Sequence, residues 1–153
     1  MTTFVRTVLG DVHPSELGIT YCHEHLIIDS PIVAERFPQI HLPSVDQAVA
    51  EATQCRQAGV GTMVDAMPEG GREIDRLREI SRQTGIHIVS ATGLHTEKYY
   101  QLPLAESPEE LAGRFGAEIE SGCGVIKVAT GPEAVNERAR RLFEAASIAH
   151  HQT

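Results

Sequence analysis

The sequence of 153 residues is poor in cysteine and in positive charge, and it has no long apolar run. Its three cysteines, Cys22, Cys55 and Cys123, are odd in number and have no paired spacing, so we expect reduced thiols in a cytoplasmic protein. The 13 basic and 21 acidic residues give a formal charge of -8, which excludes a general nucleic-acid binder and disfavours an anionic membrane surface. No stretch approaches the roughly 20 apolar residues of a membrane span, and the start has no signal-peptide pattern.

What remains is typical of a globular protein. Hydrophobic residues make up 41% and charged residues 22% of the chain, and the length predicts a single domain spanning residues 1–153.

Strand and helix patterns alternate along the chain. Predicted strands cover residues 19–28, 61–67, 86–95 and 124–130, and predicted helices cover residues 45–57, 72–84, a segment opening at Ser107, and 132–150. The strands are continuous apolar runs, as is typical of parallel strands covered on both faces. Four strand–helix units fit either an open doubly wound sheet or a closed eight-stranded barrel, and no G-x-G-x-x-G follows the first strand. Residues 5–18 predict a small hairpin, with Gly10 and Asp11 as a candidate turn.

Local signals define the ends of three helices. Ser44 with Gln47 and Ser107 with Glu110 have capping-box spacing, and Gly85 stands where a helix would end.

The segment TYCHEHL contains the first pattern that indicates chemistry. Side chains two apart in a strand point to one face, so His23 and His25 would share a face and could hold one metal ion. The alternative is a pair of buried histidines that hydrogen-bond to the backbone or to carboxylates.

Lys127 lies in the middle of the apolar strand GVIKVAT. Burial lowers the pKa of a lysine, and the neutral amine can add carbon dioxide to form a carbamate that bridges two metals. The alternative is a lysine whose stem is buried and whose amine reaches solvent.

Four motifs in order, LGITYCHEHL, VDAMPEGGRE, ATGLH and GVIK, resemble the phosphotriesterase family of the amidohydrolase superfamily. The resemblance implies a (β/α)8 TIM barrel with two divalent metal ions, zinc being expected first, although cobalt, manganese and iron also suit. It implies that His23 and His25 bind the more buried metal, that carboxylated Lys127 bridges both, and that His95 lines the substrate pocket. The implied reaction is hydrolysis of a small-molecule ester, an organophosphate triester or a lactone, by a metal-bridging hydroxide.

The family's remaining ligands are two histidines after the fifth and sixth strands and an aspartate after the eighth, and the chain ends before those strands. We therefore expect a partial barrel of four βα units behind a hairpin, lacking its C-terminal half, inactive alone and with no further catalytic residue assigned. Because an open half-barrel leaves two sheet edges free, our hypothesis is a homodimer that rebuilds a closed ring, the alternative being an unstable half-barrel that aggregates. A non-catalytic scaffold, or another amidohydrolase such as a cyclic amidase or a metal-dependent deoxyribonuclease, is the alternative.

Other candidates carry less weight. We expect Asp65 to pair with Arg72 in a structural role, Tyr99 and Tyr100 to pack in a loop, and the C-terminal pair of histidines, His150 and His151, to be solvated.

Overall fold

The computed structural model describes residues 3–69, 71–99, 105–131 and 135–153. A short antiparallel hairpin of β1 (Val5–Thr7) and β2 (Gly10–Val12) precedes the alternating part of the chain. The elements that follow are β3 (Ile19–Glu24), α1 (Pro31–Arg36), α2 (Val45–Gln57), β4 (Val60–Asp65), α3 (Ile74–Thr84), β5 (His87–Leu94), α4 (Pro108–Glu120), β6 (Cys123–Val128) and α5 (Glu137–Gln152). Within these ranges no helix is both long and apolar enough to cross a membrane.

The four longer strands form one parallel sheet in the order β3-β4-β5-β6. Their order in space is their order in the chain, without the reversal that defines a doubly wound sheet. This arrangement favours the barrel over the open sheet. The hairpin contacts the sheet near the start of β5, where the N–H of Val8 donates a hydrogen bond to the carbonyl of Ile88.

The predicted helix ends are confirmed, although at Ser44 only one half of the predicted capping box forms. The Ser44 hydroxyl accepts a hydrogen bond from the N–H of Gln47, and Ser107 and Glu110 form a reciprocal capping box. The third helix ends at Gly85, whose φ of 68° is the left-handed conformation that glycine adopts at little cost.

The predicted element boundaries are wrong at the hairpin turn, at the end of the first long strand, at α1 and at the start of the last helix. The hairpin turns at Val8 and Leu9 instead of Gly10 and Asp11, because Asp11 pairs in the ladder with Arg6. The first long strand ends at Glu24, and the buried segment 26–28 leaves the sheet. Helix α1 was not predicted. The last helix begins at Glu137, and residues 132–134 of its predicted start lie outside the described residues.

Helices cover the sheet through two apolar clusters. Helices α2 and α3 pack against β4 and β5 through residues such as Met63, Leu77 and Ile88, and α4 and α5 pack together through Phe115 and Leu142. The central strands β4 and β5 are buried almost throughout. The expectation that every strand is covered on both faces is wrong for β3, which is exposed at all positions except its last, because it is an edge strand.

Asp65, the last residue of β4, is fully buried, and its carboxylate binds backbone rather than Arg72. One oxygen accepts a hydrogen bond from the N–H of Leu26 at 2.9 Å, and the other accepts from the N–H of Met67 at 2.9 Å. The expected pair with Arg72 is therefore wrong. The carboxylate instead fixes the segment that follows β3 against the end of β4.

Arg72 binds Glu118 on α4, which is distant in sequence. Its two terminal nitrogens lie 3.0 and 2.9 Å from the Glu118 carboxylate, and one of them also donates to the carbonyl of Ala91 at 2.7 Å. Thr92 donates a further hydrogen bond to Glu118. This network connects the loop after β4 to strand β5 and helix α4.

We expect the stability of the protein relative to an Asp65→Asn variant to fall as the pH rises from 4 to 7. Burial raises the pKa of Asp65 from 3.8 to about 6, against the opposing effect of the backbone N–H groups. The folded state then binds the proton more tightly, so this stability is present below pH 3.8 and lost as the pH rises through about 6. The difference in unfolding free energy should shrink by on the order of 2–3 kcal/mol.

Urea unfolding followed by circular dichroism at each pH, on both proteins, measures this difference. The titration of other groups changes the unfolding free energy of both proteins by the same amount, so it cancels in the difference between them. A difference that stays constant or grows with pH would contradict the expectation.

Candidate functional site

The chemistry-bearing residues lie at the carboxyl ends of the parallel strands. His23 lies near the end of β3, and His25 directly follows that strand. His95 directly follows β5, and Lys127 is the penultimate residue of β6. In parallel sheets these ends meet at one edge, which is where barrel sites form.

The structure brings His23 and His25 together. Their ring centroids are 5.2 Å apart with the planes nearly perpendicular, His23 exposed and His25 half-buried. The backbone N–H of His25 donates to the carboxylate of Glu24 at 2.9 Å. The buried Nδ1 of His25 has no hydrogen-bond partner among the described residues, so the pair is not a satisfied core pair of histidines.

Lys127 is half-buried and lies in the same electrostatic cluster. Burial lowers the pKa of its amine, and its charge in turn lowers the pKa of His25 and of His95. Burial is the larger cause for both imidazoles, and together these effects lower the pKa of His95 to about 4. Burial therefore disfavours the charged forms of Lys127, His25 and His95.

Gly93 allows β5 and β6 to approach each other beside Lys127. Gly93 pairs with Lys127 in the ladder and has a φ of 108°. A Cβ added to Gly93 would lie 2.0 Å from the Lys127 carbonyl oxygen. Only glycine fits here, and the close approach sets the position of Lys127 relative to His95 two residues on.

A pocket of about 200 Å³ opens beside the imidazoles of His25 and His95. Its lining residues are His25, Ile28, Val33, Ile40, Met67, His95 and Tyr99. The Tyr99 ring packs edge-on against His95 at 4.7 Å and against Phe37 at 5.1 Å. Tyr99 therefore packs as expected, and Tyr100 lies outside the described residues.

The donor set fits a divalent cation in part. Imidazole nitrogens and a neutral amine are groups that can bind a metal ion. Across the described ranges, no group of three or more His, Cys, Asp and Glu side chains could hold a metal ion. The roles of His23, His25 and Lys127 as metal ligands, and of His95 in the pocket, therefore stay predictions. His150 and His151 are exposed at the end of α5.

Sequence reasoning missed Val33 and Ile40, which form one wall of the pocket. Both lie between β3 and α2. Val33 belongs to α1, and Ile40 belongs to the short 3-10 turn that follows α1. The available signal was Ser30 followed by Pro31, since Ser30 accepts a hydrogen bond from the N–H of Val33 and caps the helix. A serine followed by proline also opens α4, where the prediction succeeded.

Comparison with protein families and relatives gives one consistent result. A model described as "Phosphotriesterase family" matches residues 3–153. An aryldialkylphosphatase of Saccharolobus solfataricus is 31% identical over 93% of the chain and 49% of its own length. A phosphotriesterase homology protein of Mycobacterium tuberculosis is 30% identical over 97% of the chain and 52% of its own length. The chain therefore spans about half the length of the curated relatives it matches.

Solved structures match to the same extent. A lactonase from Listeria monocytogenes superposes with a TM-score of 0.91 at 24% identity, over 99% of this chain and 54% of the lactonase. An amidohydrolase from Mycoplasma synoviae has a TM-score of 0.89 at 27% identity, covering 97% of this chain and 49% of the amidohydrolase. The predicted α/β fold, the first four βα units of a (β/α)8 TIM barrel behind a short hairpin, is confirmed, as is the family resemblance.

We expect Gly93→Ala to lower the unfolding free energy by about 2–4 kcal/mol, because the added Cβ meets the Lys127 backbone and the φ is positive. The matched control is Gly113→Ala, in the exposed middle of α4, where nothing lies within 4 Å of an added Cβ. This control should stabilise the protein by about 0.5–1 kcal/mol through helix propensity. Urea unfolding measures both, and a Gly93→Ala protein as stable as Gly113→Ala would contradict the described packing.

Proposed function

This chain belongs to the phosphotriesterase family, and from that premise we propose that it forms half of the active site of a metal-dependent hydrolase of esters or lactones. The observation that carries the proposal is the cluster of His23, His25, Lys127 and His95 at the carboxyl ends of three strands. Two relatives, the aryldialkylphosphatase and a phospho-furanose lactonase of Mycoplasmopsis synoviae that is 30% identical over 94% of this chain, support this substrate class.

In this proposal His23 and His25 hold one divalent ion, for which zinc is the first candidate. Their ring geometry and the unpartnered Nδ1 of His25 support that role. When bound, the metal would polarise the carbonyl or phosphoryl oxygen of the ester and activate water. His95 lines the adjoining pocket and contacts the substrate there.

Lys127 contributes an anionic bridge in the same proposal. The lone pair of its neutral amine forms a bond to the carbon of carbon dioxide while one C=O π bond opens onto oxygen, and the proton released from the nitrogen passes to solvent water. The product is a carbamate with two oxygen donors. The reaction needs the neutral amine. Burial lowers the pKa of Lys127 and so favours the neutral form relative to an exposed lysine. A carbamate would also give the cluster the negative charge that a pair of cations requires.

We further propose that the chain hydrolyses esters poorly by itself, because the described residues contain no group of three or more His, Cys, Asp and Glu side chains that could hold a metal ion. The opposing ligands must then come from four further βα units. We favour a second copy of the chain as the source of these units. Strands β3 and β6 are the two edges of one sheet, and the chain covers 49% of the amidohydrolase from Mycoplasma synoviae.

Both edges are suited to contact. On β3, Ile19 is 65% and Tyr21 is 51% exposed, although both are large apolar residues. Beside β6 lies a groove of about 1130 Å³ to which Phe4, Val125 and Phe143 contribute. Pairing β6 of each copy with β3 of the other would give eight strands and leave no edge.

We expect zinc binding to depend on the strand histidines. Zinc measured by elemental analysis after equilibrium dialysis should fall in His23→Ala, with an affinity lower by at least about tenfold, since even outer-shell partners contribute that much. The matched control is His150→Ala, because His150 and His151 form another exposed pair, with ring centroids 5.6 Å apart. Loss of zinc in the control but not in His23→Ala would assign the metal to the histidines at the end of α5.

Sedimentation velocity tests the assembly, for which we expect a species of twice the 16.7 kDa chain mass. Each species should then be assayed with zinc against a lactone and an aryl phosphotriester. We expect kcat/KM far below the roughly 10⁴ M⁻¹s⁻¹ at the low end of enzymes for the monomer. A monodisperse monomer with cooperative unfolding would exclude the homodimer, and enzyme-like rates from the monomer would contradict the half-site.

A further inference from the structure

We propose that Asp65 is a positioning residue for His25. Its buried carboxylate holds the backbone that carries the imidazole, and so keeps the ring beside His23, where the two rings can share a metal ion. The inference rests on the proposed metal site, which it deepens by naming a residue outside the ligand set. It is carried by the hydrogen bonds around the end of β3.

Strand β3 is irregular where the histidines lie. Tyr21 pairs with Met63 and Glu24 pairs with Asp65, so three residue steps along β3 lie opposite two steps along β4. An extra residue of this kind bulges the strand, interrupts the ladder and turns the neighbouring side chains. The regular alternation of a strand therefore does not determine the direction of the His25 side chain.

The described residues give the His25 ring no anchor through its buried nitrogen. Metal-binding histidines generally donate a hydrogen bond from the ring nitrogen that does not bind the metal, and this bond fixes the orientation of the ring. The buried Nδ1 of His25 has no hydrogen-bond partner within the described part of the chain. The position of the ring therefore depends on the backbone that carries it.

Asp65 holds the backbone that follows His25. Its carboxylate is fully buried and accepts hydrogen bonds from the N–H of Leu26 and from that of Met67, both at 2.9 Å. The N–H of Ile27 also contributes. A carboxylate forms stronger hydrogen bonds with backbone N–H groups than a neutral acceptor does. A side chain of β4 thus attaches the residues after His25 to the sheet, beyond the point where β3 ends.

The backbone that precedes His25 is held by the ladder itself. The carbonyl of Glu24 accepts a hydrogen bond from the N–H of Ala66 at 2.8 Å. The carboxylate of Glu24 accepts another from the N–H of His25 at 2.9 Å. Loss of the Asp65 carboxylate would leave these bonds in place and remove the attachment that follows His25, so that the ring can move away from His23.

Asp65→Asn removes part of this attachment with little change of shape. The amide nitrogen cannot accept a hydrogen bond, so at least one buried backbone N–H loses its partner. In metal-free protein with a chelator present, the nuclear Overhauser effect between the ring protons of His23 and His25 should weaken, because their centroids lie 5.2 Å apart only when the ring is held. Zinc affinity measured by equilibrium dialysis should fall about tenfold or more.

Two matched variants separate positioning from loss of stability and from loss of charge. Thr62→Val removes a buried hydrogen bond from the other end of the same strand, where the Thr62 hydroxyl donates to the carbonyl of Leu17 at 2.7 Å. Glu24→Gln removes a negative charge at the position paired with Asp65 but keeps an oxygen that can accept from the N–H of His25. Both variants should retain the Overhauser effect and lose less zinc affinity than Asp65→Asn.

Circular dichroism checks that each variant is folded. If Asp65→Asn does not fold, Asp65→Ser replaces it, because a hydroxyl oxygen can still accept one of the hydrogen bonds.

An unchanged Overhauser effect in Asp65→Asn would overturn the inference, as would an equal loss of zinc affinity in Thr62→Val or in Glu24→Gln. If Asp65→Asn changes neither measurement while His23→Ala loses zinc, the proposed metal site stands and Asp65 does not position it. If the Overhauser effect weakens in Asp65→Asn while zinc binding does not depend on His23, the positioning stands and the proposed metal site falls.

Discussion

The candidate site depends on the buried carboxylate of Asp65 and its hydrogen bonds to backbone N–H groups. The N–H groups of Leu26 and Met67 donate to it at 2.9 Å, and that of Ile27 also contributes. Through these contacts the chain leaves the sheet immediately after His25. The imidazole is therefore held at the edge of β3, and the apolar residues that follow begin the wall of the pocket. One side chain with no direct chemical role thus positions both the nitrogen donors and the apolar surface.

The titratable groups and the pocket lie side by side at the carboxyl ends of the strands. His25 and His95 both line the pocket. Burial is the largest cause that lowers the pKa of each imidazole, and the charge of Lys127 acts in the same direction on both. Burial and a neighbouring positive charge thus both disfavour the protonated imidazoles.

Local signals predicted local structure well, and partners distant in sequence were not predictable. Ser44 and Ser107 begin helices where expected, because capping depends on residues three positions away. The alternation of strands and helices predicted an α/β fold that fitted either an open sheet or a barrel, and the family resemblance selected the barrel. The partner of Arg72 was missed because Glu118 lies 46 residues away on another helix. For the candidate site, the histidine pair and Lys127 stood out as polar residues in apolar strands, whereas the pocket wall is ordinary apolar sequence whose role only the fold reveals.

The lining of the pocket has a consequence for how such proteins diversify. Its residues lie between His25 and Tyr99, within the first three βα units, and the lysine strand lies after them. A gene segment that encodes this portion therefore contains both the pocket lining and the histidines at the end of β3. Substitutions in that segment change the shape of the pocket and the surroundings of His25 together, whereas Lys127 is encoded separately.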